Sequence, residues 1–281
     1  METRYGLFSS IETELPKSQL SFMAMAEEAH ISLEEAIAQV VARMVKLTHD
    51  LARTKVHDDQ DWFRNVLVGI LISTQQNYQA VLAGVPQKPM LACWGARNLL
   101  ELRVITTYVL RSLDNAVDFI DDLAADTREF WENIGKVGRF THNELITEMR
   151  ATAMREDEPL KSLLLRKATE EEQAGPELQG PENELHKAKQ MMTAFGVDPA
   201  RKPKQGSAIA REVEESDRYG PRYKVLSKVV HPTSLSIAAQ TTAGSLDELM
   251  PLISNEAQAD MLAIFYAVEE HIAAHGIGWQ T

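Results

Sequence analysis

Proline placement constrains this chain more than any other feature. No proline lies between Pro16 and Pro86, or between Pro89 and Pro159. A proline inside a helix removes a backbone donor and clashes with the preceding turn, so such long gaps permit long helices. The pattern then changes. Gly175, Pro176, Gly180, Pro181, Gly196, Pro199, Pro203, Gly206, Gly220 and Pro221 fall in one region. That cluster predicts connections rather than one continuous element.

Periodicity agrees with helix. Leu33, Ile37, Val40, Met44, Leu47 and Leu51 alternate steps of four and three, one apolar stripe. Ser32 with Glu35 three residues on is a capping-box signature at its start. Further helices are expected from Phe63 to Val81, Met90 to Ser112, Asp114 to Lys136 and His142 to Gln173. Two more are expected over Glu182–Phe195 and Asn255–His275, stopping at Gly196 and Gly276. No segment alternates at period two. The expected fold is all-α: a single helical domain over 1–281, a bundle of long helices. An irregular Gly/Pro-punctuated insertion near 175–221 would serve as an arm or lid.

Composition sets outer limits. The 281 residues are 44% hydrophobic, enough for a real core. Lys and Arg number 29 against 41 Asp and Glu, a net charge of −12, which argues against a protein that coats nucleic acid or acidic membrane. A lone cysteine, Cys93, excludes an intrachain disulfide framework and a Cys-based structural zinc site. Cys93 sits in an apolar stretch and reads as core. No stretch is apolar for long enough to span a membrane, and residues 1–15 resemble no signal peptide, so a cytoplasmic protein is expected.

Two groups of residues could carry chemistry. Arg97 and Glu101 are four apart, on one helix face. Glu101 lies a heptad after Trp94 and a heptad before Tyr108, which predicts an inward stripe among aromatics. Such a pair either fixes helix register or forms a site wall. The second group is Tyr223, Ser227 and His231, spaced by fours if the segment is helical from Pro221. Pro232 disfavours helical geometry at His231, so the helix should end there. Around them, 201–228 holds eight basic residues, including Arg222 and Lys228, against four acidic ones. A locally basic strip beside a histidine suits a phosphate or another anion, although a solvated loop face has the same composition.

Metal signals are thin. His271 and His275 have a spacing that can bind one ion, and Glu27 with His30 makes one Glu-x-x-His pattern. A di-iron bundle needs a second such pattern, which is absent. No Walker loop, Gly-x-Gly-x-x-Gly or nucleophile elbow occurs. No cofactor is expected. The acidic run Asp114–Glu132 reads as a solvated helix face.

Ala96-Arg97-Asn98-Leu99-Leu100-Glu101 and Tyr223-x-x-x-Ser227-x-x-x-His231-Pro232 together resemble an uncharacterised bacterial helical family that is HEPN-like (higher eukaryotes and prokaryotes nucleotide-binding). The resemblance spans about forty residues and the helix order. It implies a helical bundle, often dimeric, in a group that includes metal-independent ribonucleases of toxin–antitoxin and phage-defence systems. Active members carry Arg, then four to six residues, then His. Here eight residues separate Arg222 from His231, so Arg97 would have to serve from another helix. On this reading His231, Arg97 and Glu101 are catalytic, and Arg222, Tyr223, Ser227 and Lys228 bind RNA or another phosphate-bearing ligand. The alternative is a non-catalytic interaction protein. Its buried Arg–Glu–His network would fix packing, and 175–221 would bind a protein partner.

Overall fold

The computed structural model describes residues 32–56, 61–85, 88–231 and 249–277. Glu27, His30 and Pro232 lie outside them. Among the described residues every regular element is a helix: α1 (Leu33–Arg53), α2 (Asp61–Gly84), α3 (Pro89–Arg111), α4 (Leu113–Ala153), α5 (Leu160–Ala174), α6 (Gln179–Ala194), α7 (Gly206–Glu212), α8 (Ser216–Val230) and α9 (Met250–His275). The fold is all-α.

Local signals explain most boundaries. At α1 the Glu35 amide donates to Ser32 Oγ at 3.2 Å, and the Ser32 amide donates to Glu35 Oε2 at 2.9 Å. Two otherwise orphaned donors are thereby satisfied. Gly196 (φ 68°) and Gly276 (φ 72°) follow α6 and α9 in the left-handed region that glycine adopts without a Cβ clash. α4 differs from the expectation. It runs for 41 residues straight through Gly135 and Gly138, where a break was expected. An interior glycine costs only about 1 kcal/mol, too little to end a helix that packing supports. The chain turns at 154–159 instead, next to Pro159.

One domain over 1–281 is the sequence expectation; the contacts sort into two compact units, Met1–Ala116 with Gln205–Thr281, and Val117–Lys204. In the first, α3 is central. It packs on α2, α9, α8 and α7, while α2 also packs on α1 and α9. Its apolar side is fully buried at Leu99, Leu100 and Val104, as are Phe63, Leu67 and Leu71 of α2 and Met261, Leu262 and Phe265 of α9. α2 and α3 meet backbone to backbone. A Cβ added to Gly95 would lie 2.6 Å from the Asn77 carbonyl oxygen, and one added to Gly84 would lie 2.3 Å from the Ala92 nitrogen. Cys93 is buried, and burial pushes its thiol up to about 11, as suits a core residue.

The second unit holds most of α4 with α5 and α6. Ala124 and Ala125 of α4 pack on Met192 and Val197. The acids of α4 are not simply solvated. Arg201 donates to Asp118 Oδ1 at 2.6 Å and Asp122 Oδ1 at 2.7 Å, and Lys204 Nζ reaches Asp118 at 2.9 Å. These pairs fasten the segment after α6 along α4. The region 175–221 is therefore more ordered than an irregular arm: α6, α7 and the first turns of α8 lie in it.

Candidate functional site

Three side chains from α3 and α8 converge at the end of α8. The helix stops at His231, which is extended (φ −85°, ψ 151°), and its amide still donates to the Ser227 carbonyl at 3.0 Å. This is the ending that a following proline favours. α8 begins at Ser216, earlier than expected, so Pro221 lies inside it. Arg97 Nη1 approaches His231 Nε2 at 3.2 Å, and Arg97 Nη2 donates to Tyr223 Oη at 2.6 Å. The guanidinium also lies over the Tyr223 ring, 4.7 Å from its centroid. Tyr223 stacks in turn on buried Tyr219, centroids 5.3 Å apart. Burial pushes the Tyr219 phenol up, with Glu101 adding to the effect.

The polarity of the Arg97–His231 contact bears on the tautomer. A guanidinium N–H can only donate, so Nε2 of His231 must present its lone pair to Arg97. That contact calls for the tautomer with its proton on Nδ1. Arg97 Nε lies 3.4 Å from Glu101. Burial raises the Glu101 pKa, and the Arg97 charge opposes that rise. His231 is exposed, whereas the Arg97 side chain is only 19% exposed, so the group meets solvent at the imidazole.

Other sequence-predicted residues are placed differently. Trp94 is 46% exposed, so the inward aromatic stripe does not hold at that end. A seven-residue step drifts about 20° around a straight helix, and the stripe through Tyr108 and Glu101 turns out of the core by Trp94. Lys228 is exposed one turn before His231. Ser227 Oγ is buried with no hydrogen bond among the described residues. Arg222 does not join the site. It donates to Asp260 Oδ1 at 3.2 Å and Oδ2 at 2.6 Å. Arg218 (3.3 Å) and Arg103 (3.2 Å) bind the same carboxylate. Glu215 pairs with Arg103, and Glu256 with Arg218 and Arg222. Three arginines thus meet three carboxylates around a fully buried Asp260. Asp260 was not legible as a network centre, because its arginine partners lie on other helices, 38, 42 and 157 residues away in sequence. Half of the basic strip is spoken for: Arg201 and Lys204 in one unit, Arg218 and Arg222 in the other, all have acidic partners.

Among the described residues no group of three or more His, Cys, Asp or Glu could hold a metal ion. His271 is buried, its ring 5.3 Å from that of Phe63 and 5.0 Å from that of His275. Burial, helped by His275, pushes its pKa down to about 4. Its ordinary value is 6.5, so the unfolded chain binds the proton first as pH falls. Stability should drop as pH falls from about 6.5 towards 4, by up to about 3 kcal/mol. Urea midpoints across that window check this. In His271→Phe the drop should shrink to what the carboxylates alone contribute; an unchanged slope would refute the assignment.

No described helix is long and apolar enough to cross a membrane. In comparisons with known proteins, no family model, no curated protein and no solved structure matches the chain.

Proposed function

We propose that the protein is a HEPN-like ribonuclease that works without a metal, in the toxin or defence class that the resemblance implies. One observation carries the reading: Arg97 and His231, 134 residues apart, meet at 3.2 Å on an exposed helix end. Arg97 is mostly covered and so held in place, while His231 faces solvent where a substrate can reach it. A substrate phosphate would draw the Arg97 donors to itself and release the Nε2 lone pair of His231. That lone pair can then take the proton of a ribose 2′-hydroxyl as the hydroxyl oxygen attacks phosphorus. The bond to the 5′-oxygen breaks, and that oxygen takes a proton from water. Arg97 stabilises the charge gathered on the phosphorane. Glu101 holds Arg97 from behind, and Tyr223 holds it from the side. A homodimer, also implied by the resemblance, would present two such sites.

The test is cleavage of total RNA in chelator by wild type and His231→Ala, from about pH 5 to 8, where histidines titrate. Wild type should cleave, and the variant should be slower by about 10²–10⁴ with an unchanged melting temperature. Absence of His-dependent cleavage at every pH would remove the reading. A large loss of melting temperature in His231→Ala would favour the non-catalytic interaction protein.

A further inference from the structure

We propose that Trp94 is a stacking platform for an unpaired base, which makes single-stranded RNA the substrate class of the Arg97–His231 site. The inference rests on the ribonuclease reading above. α3 and α8 run antiparallel: Arg103 meets Glu215 beside the start of α8, and Arg97 meets His231 at its end. One turn further along α3, on the side away from Arg103, stands Trp94. It lies about 60° around the axis and about 4.5 Å along it from Arg97. Residues three apart on a helix have Cβ atoms about 5–6 Å apart, so a phosphate on Arg97 has a base within reach of the indole.

Single exposed apolar residues are ordinary. The position of this one is not. The largest side chain type is 46% exposed beside the arginine that reaches a solvent-facing histidine. The charge of −12 adds a second argument. A protein this acidic draws little affinity from a long electrostatic track along a phosphate backbone, so a local contact must supply it. Stacking does so for any base, because every base has a π-face. It also selects the strand state, since a base within a duplex must first be unstacked from its neighbours.

The His231→Ala protein, which should bind without cutting, provides the assay. Anisotropy of a labelled short RNA single strand is followed with and without added Trp94→Ala or Trp94→Phe. The same strand is tested annealed to its complement, together with an abasic ribose-phosphate oligomer of equal length. Trp94→Ala should weaken single-strand binding by about tenfold or more, and Trp94→Phe by no more than about threefold. Binding of the abasic oligomer should not change, the duplex should bind more weakly than the strand, and melting temperature should hold. Equal single-strand affinity with and without Trp94 would overturn the platform, as would an equal loss of abasic binding. If RNA cleavage by the wild type still depends on His231, only the platform falls. If the parent protein binds no RNA, the platform falls together with the ribonuclease reading.

Discussion

Asp260→Asn should destabilise the protein by about 3–5 kcal/mol, the range for removing one partner from a buried ion network. The carboxylate is 0% exposed and accepts from Arg103, Arg218 and Arg222. Asparagine keeps the shape and removes the charge, which leaves three guanidinium groups facing Glu215 and Glu256 alone. The loss is read as a shift in urea midpoint at constant slope. A control separates charge from packing. Asp260→Leu combined with Arg222→Leu removes one charge of each sign and should recover a substantial part of the loss. Asp260→Asn at wild-type stability would mean that the arginines find water instead. Because the network ties α8 to both α3 and α9, its loss should also loosen the contact between Arg97 and His231.

Arg97→Ala should slow RNA cleavage by about 10²–10³, the effect of losing one preorganised donor to a developing oxyanion. Arg97→Lys is the more informative variant. Arg97 spans two acceptors with two nitrogens, Nη1 to His231 and Nη2 to Tyr223, which one ammonium cannot reproduce at that separation. Lysine should therefore restore only a small part of the rate. Full activity in Arg97→Lys would show that charge alone matters and that the forked geometry is incidental. The same substitutions bear on Glu101. Burial already raises its pKa against the pull of Arg97, so Arg97→Ala should raise it further, measurable by carboxyl NMR titration.

Much of the fold could be read from local rules. The Ser32–Glu35 box, the stop at Gly276 and the end of α8 at His231 each depend on neighbours in sequence, and each stands where spacing puts it. α4 could not be read this way, because the choice between one helix and two depends on what Gly135 and Gly138 pack against. The site was half legible. Spacing by fours brought Tyr223 and His231 to one face, and Arg97 meets both across a long sequence separation. Arg222 has the same composition signal as a phosphate ligand, yet Asp260 on a distant helix claims it. A count of charges cannot assign partners. The −12 total and the basic strip near 201–228 describe the chain correctly and still conceal that four of the strip's cations are already engaged.

The close approach of α2 and α3 works as a mechanical stop. Gly95 stands two residues before Arg97, and the Asn77 backbone lies where its β-carbon would be. Alanine there would have to push the whole of α3 outward, since a carbonyl cannot swing aside as a side-chain tip can. The guanidinium would travel with it, away from an imidazole held by a different helix. The reach of Arg97 is thus set from behind, by a hydrogen atom in place of a methyl group on the far side of its own helix.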